Sequence, residues 1–316
     1  MLVSVCTPTF NRRPFIPSML KCFQHQDYKG AIEWIIVDDG TDKIEDLIEA
    51  SGIQEIQYYK IDQKLTLGKK RNLMHTYAKG DIIVYMDDDD YYPPERISHA
   101  VEMLQSHPKA LCAGSSILYT YFKEIDKIVQ FGPYGPNHAT AGTFAFKRQL
   151  LDITSYEEDA ALGEEKHFLK NYTIPFVQLD PKKVILVCAH NHNTFDKRTL
   201  LKDPDLRVVH FTTMKIKDFI KDSDLRHFFK VQMHLELETY KPGYPSMKPD
   251  VIEYMEKRKL EKSFSIQFGN KILQGNDIVK QLNQQQHYIK LLTEKNAKLE
   301  QELKQSRSLL IDSLER

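Results

Sequence analysis

Short apolar runs alternate with amphipathic stretches along the first two hundred residues of the chain. Buried strands are predicted where the runs are short and β-branched, at 2–8, 34–37, 56–59 and 82–86. Helices are predicted where apolar side chains recur at helical spacing, at about 14–26, 43–50 and 68–78. This succession predicts an α/β fold with a mainly parallel sheet and helices on both faces.

The pattern becomes less regular after Pro94. It predicts a helix to about residue 107, strands at 110–121, 127–132, 142–147 and 184–188, and a helix at 160–171. Past residue 195 the composition is more charged, and helical patches at 210–240 end in a Pro- and Gly-containing loop at 241–245. We therefore expect an α/β domain over 1–200, a helical extension over 201–272 that packs on it, and a C-terminal helix over 273–316.

The C-terminal segment is helical in composition and contains a heptad pattern. Position a is occupied by Leu282, Ile289, Asn296, Leu303 and Leu310, and position d by Ile278, Gln285, Leu292, Leu299 and Ser306. In a parallel dimer the flanking pairs Lys295–Glu300 and Glu302–Arg307 attract each other. The pattern predicts a parallel homodimeric coiled coil through residues 276–310. The alternative is a single amphipathic helix that folds back on its own domain.

Four consecutive aspartates, Asp87 to Asp90, follow the predicted strand at 82–86. Their charges repel one another and no basic residue adjoins them in the sequence. A hard divalent cation with oxygen ligands, Mg²⁺ or Mn²⁺, is therefore the expected partner. The alternative is a solvated acidic turn before a helix that begins near Pro93 and Pro94.

Polar clusters follow three of the predicted strands, at 7–12, 38–41 and 87–90. The carboxyl ends of parallel strands meet at one edge of a sheet, and ligands of open α/β sheets bind there. The sequence therefore predicts one binding site built from all three clusters. The tetrad 190–193 also comes directly after a predicted strand.

Composition narrows the classes of partner. Basic and acidic residues are equal in number, 44 each, so no general electrostatic footprint for nucleic acid is present. No apolar stretch approaches the roughly 20 residues that span a bilayer. The cysteines are widely spaced and lie mostly in apolar runs, which is typical of buried free thiols in a reducing compartment. We expect a cytoplasmic protein without a transmembrane segment.

Six motifs over residues 1–195 resemble, in order, those of the GT-A nucleotide-diphospho-sugar glycosyltransferases, specifically the inverting family 2. They are Val5–Arg12, Ile36–Thr41, Gly68–Asn72, Met86–Tyr91, Gly142–Phe144 and Gly163–Glu165. One such motif is weak, whereas six in family order are specific. The resemblance implies a GT-A, Rossmann-like fold, a nucleotide-diphospho-sugar donor carrying UDP, and a glycan or other hydroxyl acceptor.

The resemblance also implies which residues bind the donor. They are Thr7, Pro8, Thr9, Arg12, Asp38, Asp39, Lys69, Arg71, Asp87 and Asp88. The first three would form the wall of the nucleotide pocket, and an aspartate of the 38–39 pair would accept a hydrogen bond from uracil. Lys69 and Arg71 would face the diphosphate near a helix start; the alternative is an exposed basic helix face.

The Asp-x-Asp motif of the family assigns separate tasks to the acidic cluster. Asp87 would meet the ribose or donor sugar, Asp88 fills the variable position, and Asp89 would hold the metal that bridges the diphosphate. His190 and His192 would add a ligand from the other side of the metal. The alternative is that both are surface histidines.

Inverting transfer also needs a base for the proton of the acceptor hydroxyl. The family places an aspartate there, in a Glu-Asp pair at a helix start, whereas this chain has Glu164 and Glu165. Glu165 aligns with the base, and Glu164 would hold an acceptor hydroxyl. The alternative is two exposed glutamates that favour a helix start.

The leading hypothesis is a metal-dependent glycosyltransferase that moves a sugar to an acceptor hydroxyl with inversion. The competing hypothesis, from a different class, is a catalytically weak scaffold protein. It would keep the nucleotide-sugar pocket and be dimerised by its coiled coil. The departure at the glutamate pair is the sequence feature that supports it.

Overall fold

The computed structural model describes the backbone of residues 1–160, 163–263, 265–268, 271–274 and 276–314. The chain divides into two compact units, Met1–Ile252 and Glu253–Arg316. The predicted domain end at residue 200 therefore falls inside the first unit. Among the helices in these described ranges, none combines the length and the apolar character that crossing a membrane requires.

The strands of the first unit form two sheets. They are β1 (Leu2–Thr9), β2 (Ala31–Asp38), β3 (Ile56–Lys60), β4 (Ile82–Tyr85), β5 (Cys112–Gly114), β6 (Leu118–Phe122), β7 (Lys127–Phe131), β8 (Ala145–Lys147), β9 (Phe176–Gln178), β10 (Leu186–Ala189) and β11 (Val209–Phe211). The main sheet has the order β3-β2-β1-β4-β8-β5-β9, and the smaller sheet has the order β10-β6-β7-β11. In the main sheet, β8 alone runs antiparallel to its neighbours, which confirms the mainly parallel sheet.

The helices follow the same succession along the chain. They are α1 (Ile16–Gln24), α2 (Glu45–Ser51), α3 (Leu67–Tyr77), α4 (Arg96–Ser106), α5 (Glu165–Phe168), α6 (Ile216–Phe219), α7 (Ser223–His227), α8 (Met233–Thr239), α9 (Pro249–Ser263) and α10 (Asn276–Leu314). A π-helical turn, Phe228–Gln232, joins α7 to α8.

Alternation along the central strands builds a core on each face of the main sheet. Trp34 and Ile36 of β2 pack in the cluster that includes α1 and α4, whereas Ile35 and Val37 pack in the cluster that includes α3. All four side chains are fully buried. Helices on both faces, as predicted, therefore leave the loops at the carboxyl edge of the sheet free to form a site.

Helices α6, α7 and α8 pack on the α/β core. Their buried aromatic residues, including Phe219, Phe228 and Phe229, share one cluster with Phe15 after β1 and Leu186 of β10. Burial of each such side chain contributes about 1.5–3 kcal/mol by the usual area relation. This shared core joins residues 216–240 to the α/β part of the first unit.

Two predicted elements differ from the structure. The stretch 110–121 was expected to be one strand, but β5 and β6 lie in different sheets, because Ser115 and Ser116 turn the chain between them. The Ser116 backbone N–H is satisfied by Gln178 at 2.8 Å, outside any strand ladder. The helix expected over 160–171 is described over Glu165–Phe168 and followed by residues with positive φ at 170–172; residues 161–162 lie outside the described part.

The second unit contains the end of α9, the antiparallel strands β12 (Ser265–Phe268) and β13 (Lys271–Gln274), and the long helix α10. On α10, Leu282, Ile289, Leu292 and Leu299 are between 43% and 60% exposed. These are four of the predicted a and d positions. The side chains of Leu303, Ser306 and Leu310, and the pair Glu302–Arg307, lie outside the described residues.

Candidate active site

A cleft of about 310 Å³ opens beyond the carboxyl ends of β1 and β4. Its wall is formed by the loops after β1, β4 and β10, the starts of α3 and α5, and residues 248–251. The predicted clusters 7–12 and 87–90 therefore meet, and the loop after β10 joins them. The third cluster, 38–41, lies at the same edge, because Asp38 pairs with Thr9 in the parallel register of β1 and β2.

Asp87 and Asp90 have different environments at the end of β4. The Asp87 backbone N–H donates to Tyr92 Oη at 2.7 Å. Residue 142 is a glycine because a Cβ there would lie only 2.8 Å from Asp87 Oδ2. Asp90 Oδ1 accepts the backbone N–H of Cys188 at 2.9 Å, which fastens this loop to β10. Burial raises the pKa of both carboxyls. Asp87 therefore lines the cleft, whereas Asp90 connects the loop after β4 to β10 through its hydrogen bond.

Arg12 neutralises the middle of the acidic cluster. Its Nε lies 3.5 Å from Asp88 Oδ1, and its Nη2 lies 3.2 Å from Asp89 Oδ2. Burial raises the pKa of Asp88 to about 7 against the attraction of Arg12. Burial also opposes ionisation of Asp89, but Arg12 and His190 hold the pKa of Asp89 well below its usual value. The expected divalent cation would therefore share this cluster with an arginine that is distant in sequence.

The two predicted histidine ligands separate in the structure. His190 Nε2 lies 3.2 Å from Asp89 Oδ2, and burial lowers the pKa of this ring to about 3, so the ring is neutral. His192 points elsewhere: its Nε2 lies 2.6 Å from the Tyr240 carbonyl oxygen and its ring stacks on Tyr244 at 4.5 Å. His190 therefore joins the acidic cluster, whereas His192 contacts the extension. Neither is a surface histidine.

Asp89 and His190 fit two positions of a metal site. Cis ligands of an octahedral ion bound at about 2.1 Å lie roughly 3 Å apart, close to the 3.2 Å between Asp89 Oδ2 and His190 Nε2. Within the residues that the structure describes, no three His, Cys, Asp or Glu side chains are grouped to hold a metal by themselves. The remaining ligands would thus have to come from a bound phosphate or from water, as is usual for Mg²⁺.

The basic residues at the start of α3 divide between surface and cleft. Lys69 is close to Glu158 at 3.8 Å with both side chains exposed, so it lies outside the cleft. Lys70, the next residue, is buried in the wall, where its Nζ pairs with Asp39 and donates to the Thr9 carbonyl at 2.9 Å. The expectation that Lys69 faces the site is therefore wrong, and Lys70 lines the cleft in its place. Helical geometry, which turns neighbouring residues by 100°, is the reason.

The carboxylates of Asp38 and Asp39, in the loop after β2, already hydrogen-bond to other parts of the protein. Asp39 Oδ2 accepts the Leu65 backbone N–H at 2.7 Å besides its pair with Lys70. Asp38 accepts from the Gly40 N–H at 2.8 Å and from Tyr58 Oη at 2.6 Å. Both carboxylates are buried, and neither lines the cleft. The structure therefore gives them loop-fastening bonds in place of the expected free acceptor for uracil.

Two of the three residues predicted to form a pocket wall at the end of β1 line the cleft. Pro8 and Thr9 line the cleft. Thr7 does not, because its hydroxyl donates to the Met86 carbonyl at 2.6 Å and accepts the Trp34 indole N–H at 2.9 Å. Thr7 thus joins β1, β2 and the end of β4 from within the core.

Arg71, Glu164 and Glu165 meet in the lining of the same cleft. Arg71 Nε donates to Glu164 Oε1 at 3.1 Å, and burial raises the pKa of Glu164. Glu165 is half-buried at the first position of α5, and its Oε1 accepts the Ala141 backbone N–H at 3.1 Å. Among the described residues, Arg71 Nη1 and Asp87 Oδ1 are buried without a hydrogen-bond partner, and both line this cleft. A polar ligand would satisfy them.

Further cleft residues were missed from the sequence. Besides Lys70, they include Phe10, Lys197 and Lys248. Phe10 lies below the ammonium groups of Lys64 and Lys70, at 5.2 and 5.9 Å from the ring centroid. Phe10 directly follows the Thr-Pro-Thr motif, which was a usable signal. No local pattern marks Lys248, which reaches the cleft through tertiary packing.

Comparisons with known proteins relate the chain to one family and one fold. Residues 4–155 match the model of the family Glycosyl transferase family 2. An uncharacterized glycosyltransferase of Haemophilus influenzae is 26% identical over 107 residues, which is 34% of this chain and 36% of that protein. Poly(ribitol-phosphate) beta-N-acetylglucosaminyltransferase TarS of Staphylococcus aureus is 30% identical over 113 residues, 34% of this chain and 19% of that protein. The chain thus spans well under half the length of these relatives.

A solved structure extends the likeness to more of the chain. The mannosyltransferase PcManGT from Pyrobaculum calidifontis, in complex with GDP-Man and Mn2+, is similar with a TM-score of 0.51 and 15% identity, covering 82% of this chain and 87% of that chain. At this identity the similarity concerns the fold. The GT-A type of α/β fold predicted from the sequence is confirmed.

Proposed function

We propose, from the premise that residues 4–155 form a Glycosyl transferase family 2 domain, that the protein transfers a sugar from a nucleotide-diphospho-sugar to an acceptor hydroxyl with inversion. A UDP-sugar is the proposed donor. The observation that carries the proposal is that Asp87, Asp89, Arg71 and Glu165 line one cleft. Asp89 Oδ2 also lies 3.2 Å from Nε2 of the buried His190.

The donor would lie along the wall that holds Asp87, Asp89 and Arg71. Asp87 would accept a hydrogen bond from the ribose or the donor sugar, since its Oδ1 lacks a partner among the described residues. Arg71 would direct its unpaired Nη1 toward a phosphate oxygen, because guanidinium suits that geometry. Asp89 and His190 would hold Mn²⁺ or Mg²⁺, which when bound neutralises charge that develops on the leaving diphosphate.

Glu165 is the proposed base. The acceptor oxygen would attack the anomeric carbon from the face opposite the nucleotide while the bond from that carbon to the phosphate oxygen breaks. The electron pair of the broken bond would leave with the nucleoside diphosphate, and the hydroxyl proton would pass to Glu165. The Ala141 N–H holds one oxygen of Glu165 at 3.1 Å and so fixes the carboxylate at the rim of the cleft.

Glu164 is less suited to this task. Its carboxylate is buried and paired with Arg71 at 3.1 Å, so it would position the phosphate-facing guanidinium. The structural environment therefore favours Glu165 over Glu164 as the base. It also replaces the earlier expectation that Glu164 holds an acceptor hydroxyl.

Release of nucleoside diphosphate from a panel of UDP- and GDP-sugars tests the proposal, with Mn²⁺, Mg²⁺ or EDTA present. GDP-mannose belongs in the panel because the structurally similar PcManGT was solved with it. Wild-type protein should release the diphosphate in the presence of a divalent ion and lose this activity in EDTA. Glu158→Gln, on an exposed side chain near the same wall, is the matched control for Glu165→Gln.

Two outcomes would contradict the proposal. If no donor is bound or turned over, the assignment to this activity has no basis. If a donor binds with no turnover in any acceptor mixture, the scaffold hypothesis is favoured instead. Product stereochemistry, read by NMR at the anomeric position, tests inversion separately.

A further inference from the structure

The segment after α8 closes one side of the cleft. Asn11 Nδ2 donates to the Pro242 carbonyl at 2.8 Å, and Tyr240 Oη donates to Asp42 Oδ2 at 2.8 Å. Further along, Lys64 Nζ pairs with Asp250 at 2.5 Å. Residues 240–250 are thus fastened to the loops that follow β1, β2 and β3.

Lys248 is the residue of this segment that enters the cleft. It is 5% exposed, and its Nζ donates to Thr194 Oγ1 at 2.8 Å. Four other cleft cations have carboxylate partners, in the pairs Arg12–Asp89, Lys64–Asp250, Lys70–Asp39 and Arg71–Glu164. Within the described part of the chain, no carboxylate oxygen lies within 4.0 Å of Lys248 Nζ.

Burying an ammonium group without a counter-ion is unfavourable, and the pKa of Lys248 is lowered as a result. Burial lowers its pKa to about 6; the positive charges of Arg12 and Lys70 act in the same direction, and Asp88 and Asp89 oppose them. An anionic ligand in the cleft would reverse this balance and restore the charged form. Without a ligand, the Lys248 amine donates its hydrogen bond to the Thr194 hydroxyl.

We infer, on the basis of the proposed function, that Lys248 binds the diphosphate of the donor and that residues 240–250 therefore belong to the active site. An ammonium group offers three donors and no acceptor, which suits phosphate oxygens and not the mixed edge of a nucleobase. Lys197, on the loop after β10, also lines the cleft. Phosphate would thus be held from both the β10 loop and the extension.

Calorimetric titration of the full chain with UDP, in Mn²⁺, tests this inference, with GDP used if UDP does not bind. Lys248→Met should weaken diphosphate binding about tenfold or more, since a charge-assisted hydrogen bond is lost. Lys248→Arg should stay within a few-fold of wild type. Lys241→Met removes the same charge from an exposed site of the same segment and should change nothing. Uridine binding, followed by ligand-detected NMR, should be equal in all variants.

Each result decides between a phosphate contact and a structural role. Equal UDP affinity of wild type and Lys248→Met would overturn the inference and leave the proposed function intact. Parallel loss of uridine and UDP binding would also overturn it, because the defect would then be structural. If wild type binds neither diphosphate and turns over no donor, the proposed function fails and this inference fails with it.

Discussion

Arg12 Nη2 lies 3.2 Å from Asp89 Oδ2, the same carboxylate oxygen that faces His190 Nε2 at 3.2 Å. An internal cation thus neutralises the carboxylate that is proposed to bind a metal. Arg12 also donates from Nη1 to the His192 carbonyl at 2.9 Å, so its position is fixed by the loop after β10. The guanidinium and a divalent ion would share one negatively charged oxygen.

Replacing Arg12 should therefore make stability depend on a metal. Arg12→Met leaves Asp88 and Asp89 buried beside each other without their partner, and loss of a buried pair costs about 3–5 kcal/mol. Millimolar Mn²⁺ should recover part of this loss, and should raise the unfolding temperature of the variant more than that of wild type. Thermal unfolding with Mn²⁺ or EDTA measures both effects.

The neighbouring arginine provides the control. Arg13 pairs with Asp42 and Asp46 with a third of its side chain exposed, so Arg13→Met should cost only about 0–1 kcal/mol with no dependence on Mn²⁺. Equal losses in the two variants would contradict the internal-cation interpretation.

The two histidines should differ in their effect on metal dependence. His190→Gln removes a nitrogen from the side of Asp89 and should raise the Mn²⁺ concentration needed for half-maximal activity about tenfold or more. His192→Gln should lower stability, since it disrupts the contacts to Tyr240 and Tyr244, but should leave that concentration unchanged. A Mn²⁺ titration of initial rates at saturating donor separates them. An equal rise of the half-maximal Mn²⁺ concentration in both variants would indicate that His192 also contributes to metal binding.

The two glutamates should separate catalysis from stability. Glu165→Gln should reduce kcat by about 10²–10⁴-fold with donor KM nearly unchanged, because a base is lost and the donor contacts remain. Glu164→Gln should destabilise the fold by about 3 kcal/mol, because Arg71 is then buried without its partner. Steady-state kinetics and chemical denaturation measure the two effects. The opposite pattern would assign the base to Glu164.

Sequence patterns were informative where a contact is local. The apolar runs at 2–8 and 82–86 predicted two strands of a parallel sheet, and the clusters after them meet in one cleft as expected. Lys69 was expected to face the diphosphate but is exposed, because helix rotation at the start of α3 turns Lys70 inward instead.

Contacts between distant residues account for the other differences. The sequence predicted Asp38 as a free hydrogen-bond acceptor, but its carboxylate oxygens already accept from the Tyr58 hydroxyl and the Gly40 N–H. The pairing of Arg12 with Asp89 and the entry of Lys248 depend on packing between elements far apart in the chain. Hydrophobic periodicity predicts which face of a helix or strand is buried. It does not predict the hydrogen-bond partners of polar side chains at the ends of that element.

Lys248 should make stability depend on pH in the absence of ligand. An unfolded lysine keeps its proton to about pH 10.4, whereas the buried amine has a pKa of about 6, so the unfolded state binds more protons between these values. The free energy of unfolding of wild type should therefore rise with pH, relative to Lys248→Met, by up to about 1.4 kcal/mol per pH unit. Lys248→Met should be the more stable protein at pH 6, with a difference that shrinks toward pH 9. Urea denaturation at both pH values checks this, and a pH-independent difference would contradict it.

Helix α10 should dimerise the chain in parallel through its heptad positions. Leu292 and Leu299 are 43% and 51% exposed at neighbouring d positions, with Asn296 at position a between them, a polar residue that sets the register of two-stranded coils. Light scattering of the full chain should give about twice 36.9 kDa, and Leu292→Lys with Leu299→Lys should restore the monomer mass. Lys290→Glu, at an outer position, is the control that should keep the dimer. A monomeric wild type, or a dimer that survives both lysines, would contradict the coiled coil.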